Sequence, residues 1–189
     1  KFFHPDPSIN RRSGLLQPRI NNSNTLGTSI NIPYFHVISE NKDYTFKPTI
    51  FDNRVYMYQN EFRQKNENSS FIADFSLIKG FQSAKSASKY SNRNSITHLF
   101  AKLNMDLDLD NYNNSTLDFF LEKVNNDTYL KIFEDVISLD ETLKPNSNTL
   151  ISGVALALDN DDFNLTAGMT SYENLQLNDN DRFQYIMPY

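Results

Sequence analysis

Residue types able to do chemistry are present in this chain, but not at the spacings that chemistry requires. Asp106, Asp108 and Asp110 alternate with leucines and resemble the opening of a calcium loop. An EF-hand needs Gly at its sixth position and Glu at its twelfth, and those places hold Asn111 and Leu117. The three acidic residues are therefore expected on the wet face of a strand, turned toward a lumen. His4, His36 and His98 lie too far apart for a paired metal-ligand motif, and a structural or surface role is expected for each. Asp118 and Glu122 would share a strand face and could in principle act as acid and base, yet carboxylates on such a face are usually just solvated. No glycine-rich phosphate loop and no G-x-S-x-G occurs, and with Cys 0 there is no thiol nucleophile. No catalytic residue, metal or cofactor is expected.

Prolines carry more information than any titratable group. Pro18 interrupts Leu15-Leu-Gln-Pro-Arg-Ile20, and Pro33 interrupts Ile30-Asn-Ile-Pro-Tyr-Phe35. Proline cannot donate to a ladder and is normally kept to edges, strand ends or bulges. Two neighbouring strands that each lack a donor would pair weakly at that place; the alternative is that each proline merely ends its strand. Pro48, in the third strand, reads more readily as a strand end.

The elements that carry these residues are strands. Leu99, Ala101, Leu103, Met105, Leu107 and Leu109 fall on one face, and Lys102, Asn104, Asp106, Asp108 and Asp110 on the other. The same period of two runs through residues 26–38, 44–51, 55–63, 71–78, 117–121, 150–158 and 163–170, with a first strand near 14–20 and a last opening at Arg182. About ten strands in order, joined by connections too short for crossover helices, make an all-β antiparallel meander. A ten-residue strand rises about 33 Å and, tilted about 45°, covers roughly 23 Å of bilayer. Connections 40–43, 66–68, 111–115 and 160–162 are short, whereas 80–95, 125–148 and 174–181 are long, with the tight turn at Asp52-Asn53 the exception. Outer-membrane barrels sort their loops by parity in this way, and a soluble sandwich has no reason to. Tyr129, Ile132, Phe133 and Val136 at helical spacing suggest a short helix within 127–143, with Asp127 as its N-cap.

Composition fits that picture. The 189 residues are only 39% hydrophobic with a net charge of -5, yet Phe 15 and Tyr 10 are too many for a chain that cannot fold. No apolar run is long enough for a spanning helix, and the charge argues against nucleic-acid binding.

The residues His4 to Pro18, Leu26-Gly-Thr-Ser-Ile-Asn-Ile-Pro-Tyr-Phe35, Lys42-Asp-Tyr-Thr-Phe-Lys-Pro-Thr49 and Tyr58-Gln-Asn-Glu-Phe-Arg63 together resemble the start of the barrel domain of the LptD family, lipopolysaccharide-assembly proteins of the Gram-negative outer membrane. The resemblance implies a periplasmic jelly roll followed by a barrel of about twenty-six strands. Residues 1–13 would be the hinge into the barrel, and 14–189 its first strands, so the chain is expected to be a fragment. It also implies that lipopolysaccharide leaves between the first and last strands, with Pro18 and Pro33 keeping a lateral gate openable. Tyr34, Phe35, Tyr44, Tyr56 and Tyr58 would contribute to an aromatic girdle, thinned at His36, where many members carry Trp. The implied partners are lipopolysaccharide, an LptE-like lipoprotein, an LptA-like periplasmic bridge protein and the outer-membrane lipid. The rival readings are a soluble secreted β-sandwich acting as an adhesin or glycan-binding module, and a porin or receptor-type barrel.

Overall fold

The computed structural model describes residues 11–52, 54–81, 95–178 and 180–188. His4 and most of the expected hinge lie outside them. The described residues form one antiparallel sheet of twelve segments. These are β1 (Gly14–Leu15), β2 (Arg19–Ser23), β3 (Gly27–Asn31), β4 (Tyr34–Ser39), β5 (Lys42–Phe51), β6 (Tyr56–Lys65), β7 (Ser69–Lys79), β8 (Ser95–Asp106), β9 (Asn114–Val124), β10 (Thr149–Asn160), β11 (Phe163–Asn174) and β12 (Phe183–Ile186). From β5 onward each segment pairs with the next in sequence, which is the meander that the alternation predicts. Segments β1 and β2 are two halves of one broken strand, as are β3 and β4, so the expected count of about ten holds.

The two faces of the sheet are chemically opposite. On β5, Asp43, Thr45, Lys47 and Thr49 are buried, while Ile50 on the other face is exposed. Asp74 and Ser76 of β7 are buried in the same way, and Phe75 between them is exposed. Tyr58, Leu99, Phe119 and Met169 continue that exposed apolar face. The covered side is polar along Asp43, Thr45, Lys47, Asp74 and Ser76, and turns apolar toward the long-loop end at Met57, Ile78 and Ile96.

The cover is the connection 125–148. Its helix α1 (Tyr129–Phe133) is a single turn, and Tyr129, Leu130, Phe133, Val136 and Leu143 form the core together with Met57, Ile78, Ile96 and Phe100 of the strands. Helical spacing thus located the apolar stripe. The expected cap did not hold: Thr128, not Asp127, stands at the N-cap, its hydroxyl donating to Asn126 Oδ1 and not capping the helix, while Asp127 pairs with Arg182. Close packing on the covered face also explains Gly153, where a Cβ would lie 2.9 Å from the Phe120 ring and 2.5 Å from the Met169 carbonyl.

Two strand expectations need correction. Segment β8 ends at Asp106, not Asp110. The Asp108 amide donates to Asp106 Oδ1 at 3.0 Å, and Asp108 itself adopts φ 48, so the chain turns there and Asp108 and Asp110 leave the acidic face. Pro48 does not end its strand: it lies inside β5, opposite Tyr58.

Candidate functional site

The first candidate site is the break in the opening strands. Leu15 opposes Tyr34, and Arg19 opposes Asn31. Three residues, 16–18, therefore face two, 32–33, and the register slips by one across the gap. The break does not disturb the next strand, because Asn31↔Thr49 and Tyr34↔Phe46 belong to one register on β5. Across the gap the Leu16 amide donates to the Pro33 carbonyl at 2.8 Å. In an antiparallel ladder the amide and carbonyl of a residue point to the same neighbour, so the donor missing from Pro33 is the one that would have answered Leu16. One strand further in, the Pro48 carbonyl accepts from the Ile32 amide at 3.2 Å and from Asn31 Nδ2 at 3.1 Å, again with no donor to return. Three adjacent strands thus each carry a proline at neighbouring levels. Segments β1 and β2 pair with β4 and β3 alone, which places the weakened strand at an edge of the described sheet.

The break opens onto the cover. A cavity of about 370 Å³ at this point is lined by Leu16, Gln17, Arg19, Pro33, Lys47 and Ser138, among others. Ser138, in the covering connection, is held from the strands. Its carbonyl accepts from Lys47 Nζ at 2.5 Å and from Gln59 Nε2 at 3.2 Å, its amide donates to Gln59 Oε1 at 3.3 Å, and its hydroxyl meets Arg19 Nη1 at 3.4 Å. Lys47 also binds Glu61 at 2.6 Å, and Gln59 donates to Asp74 at 3.0 Å.

Deeper on the same face lies a cluster that sequence reasoning missed. His98 Nε2 meets Asp74 Oδ1 at 2.7 Å, and His98 Nδ1 lies 3.0 Å from Ser76 Oγ and within hydrogen-bond reach of the Tyr129 hydroxyl. An aspartate, a histidine and a serine in sequence of contact look like a hydrolytic triad. Asp74 and Ser76 are 0% exposed and His98 1%, however, and the Tyr129 hydroxyl sits 2.8 Å from Ser76 Oγ, where a substrate would have to enter. The cluster pins the cover to the sheet. Burial pushes the Tyr129 hydroxyl well above the ordinary tyrosine range. No signal in the sequence could have found this group, because its members meet through cross-strand register and not through spacing.

At the long-loop end, Arg182 joins the connections. It donates to Glu173 Oε1 through Nε at 3.0 Å and Nη2 at 2.8 Å, and to Asp127 Oδ1 at 2.7 Å. Burial works against its charge, but these two carboxylates outweigh it and raise the guanidinium above its ordinary value.

The other expected site residues separate. Tyr34, Tyr44, Tyr56 and Tyr58 share the open face, where Tyr58 stacks on Phe46 at 6.4 Å. They sit at different levels of the sheet, with Tyr44 near the short-turn end and Tyr56 near the other. Phe35 does not join them: it opposes Thr45 on the covered face, and Arg11 lies over its ring at 5.5 Å. Asp106 alone of the acidic trio stays on its strand. Asp118 accepts from Asn104 at 2.6 Å, and Glu122 Oε2 accepts from the Ile151 amide at 2.8 Å, so each is engaged separately. His36 is exposed, and its Nδ1 lies 3.3 Å from Ser13 Oγ. Among the described residues no group of three or more His, Cys, Asp or Glu could hold a metal ion.

No family model matches the chain. Two curated relatives match about a third of it. The chain is similar to the LPS-assembly protein LptD of Nitrosomonas europaea, 31% identical over 67 residues, covering 34% of this chain and 9% of that protein. It is also similar to the LPS-assembly protein LptD of a Polaromonas species, 41% identical over 63 residues, covering 33% of this chain and 8% of that protein. The matches thus span less than a tenth of either relative's length.

Proposed function

We propose that this chain is part of an outer-membrane β-barrel that carries lipopolysaccharide to the outer leaflet and opens sideways at its proline-broken edge. The observation that carries the reading is the break itself. A wall strand that is joined to its neighbour through an unanswered bond at Leu16 and Pro33, with the register slipped by one, can bend away there at low cost. A porin has no use for such a place.

Three further observations support it. The exposed apolar face bearing Tyr58, Phe75, Leu99 and Met169 suits a wall against lipid, whereas a sandwich would cover that face with a second sheet. The polar part of the covered face, along Asp43, Thr45, Lys47 and Thr49, suits a wet lumen. The two similar proteins are both lipopolysaccharide-assembly proteins by name. Within this reading the protein is not an enzyme; its cargo is lipopolysaccharide, an LptE-like lipoprotein would occupy the barrel, and an LptA-like periplasmic protein would deliver the lipid.

Depletion of the protein in its own cell tests the reading. Lipopolysaccharide at the cell surface should fall and accumulate behind the outer membrane. Surface lipopolysaccharide that persists at its normal level after depletion would overturn the reading.

A further inference from the structure

On the covered face, toward the short-turn end, one rung of the sheet carries Asp43, Arg63, Ile72 and Lys102 on four successive strands. A cavity of about 470 Å³ opens over this rung, with Arg11 at one side and Thr142 of the covering connection at another. Its charged lining is Arg11, Arg63, Lys65 and Lys102 against Glu40 and Asp43. The excess of positive charge is confined to the cavity wall, because Glu61 lies 3.5 Å from Arg63 and Asp140 of the covering connection also acts on the Arg63 charge.

The two cations on the rung are differently prepared. Arg63 is anchored through Nε, which lies 2.8 Å from Asp43 Oδ1 and 3.5 Å from Glu61 Oε1. Its two terminal nitrogens make no hydrogen bond among the described residues, so a planar pair of donors faces the cavity. Asp43 is shared between Arg63 and Arg11. Lys102 makes no hydrogen bond or ion pair among the described residues and is half-buried. Two strand spacings separate Arg63 from Lys102, about 9.5 Å between backbones, and only the apolar Ile72 lies between. Both side chains are long enough to meet over it. A fixed guanidinium fork beside a free ammonium suits a tetrahedral dianion better than a single carboxylate.

We propose that Arg63 and Lys102 form a phosphate clamp on the covered face, taking a phosphomonoester borne by a saccharide. The saccharide part rests on the transport reading, in which a sugar-bearing lipid passes this face; the phosphate part rests on the rung alone. The cavity is many times larger than a phosphate and has Asn104 and Thr142 on its walls for hydroxyl groups.

The test is titration of the detergent-purified protein with glucosamine 1-phosphate, inorganic phosphate and glucosamine, followed by calorimetry or phosphorus NMR. Glucosamine 1-phosphate should bind most tightly, inorganic phosphate more weakly, and glucosamine not measurably. Lys102→Gln removes a side chain with no partner among the described residues and should fold normally. It should weaken both phosphates about tenfold, Arg63→Gln should do at least as much, and Lys102→Arg should restore binding. Raising the salt should weaken binding of both phosphates to the wild type. Equal binding by wild type and Lys102→Gln overturns the clamp, and inorganic phosphate binding as tightly as the sugar phosphate overturns its saccharide part. Because binding is read on purified protein, its failure leaves the transport reading standing. Conversely, unchanged surface lipopolysaccharide on depletion overturns transport and leaves the phosphate clamp in place.

Discussion

The Leu16 amide donates to the Pro33 carbonyl at 2.8 Å, and Pro33 has no amide proton with which to answer. That one-sided bond lies where the register slips by one residue, at an edge of the described sheet. A gap of this kind keeps the edge strand attached but leaves it weakly held. The same gap faces Ser138, so the weak place in the wall and the tip of the covering connection lie together.

Lys47 joins the sheet to that cover, with Glu61 at 2.6 Å and the Ser138 carbonyl at 2.5 Å. Lys47→Met should leave Glu61 and Asp74 without their buried cation and cost roughly 3–5 kcal/mol. Urea unfolding in detergent measures the loss, and limited proteolysis near Ser138 should show a cover cut faster than in wild type. A loss below about 1 kcal/mol would mean that this pair does not hold the cover.

Phe133 is fully buried between the cover and the strands, packed on Tyr129 at 5.3 Å. Phe133→Ala should cost about 3–5 kcal/mol. The strands themselves pair backbone to backbone and do not depend on it, so circular dichroism should keep its β signature while the cover becomes accessible to protease.

Tyr129 sets a pH limit. Its hydroxyl titrates above the unfolded value of 10.0 when folded, because burial disfavours the phenolate. The stability it contributes is therefore fully present below about pH 10 and is lost as pH rises beyond it. Urea midpoints between about pH 8 and 11.5 should fall at the alkaline end in wild type, and Tyr129→Phe, which has no proton to lose, should flatten that fall.

The strands were readable from the sequence wherever one face is apolar and the other polar, because a period of two has only one structural meaning over ten residues. The breaks at Pro18 and Pro33 were readable because a missing donor is a property of the residue itself. The acidic run 106–110 misled, since leucine alternation continues past the point where Asp106 captures the Asp108 amide and turns the chain. Phe35 misled for a related reason: Tyr34 and Phe35 are adjacent, so only one of them can take the open face, and the pairing of Tyr34 with Phe46 decides which. The Asp74, His98 and Tyr129 cluster and the Arg63 to Lys102 rung depend on register between strands, which composition and spacing do not encode.

Replacing both prolines tests the central claim most directly. Pro18→Ala with Pro33→Ala restores two donors, and the amide at position 33 would aim at Leu16, so the seam should gain about 0.5–1.5 kcal/mol for each bond formed. Measured in the protein's own cell at limiting expression, surface lipopolysaccharide should fall, and hydrogen exchange at the Leu16 amide should slow in the purified protein. Slowed exchange with normal surface lipopolysaccharide would contradict a gate at this edge.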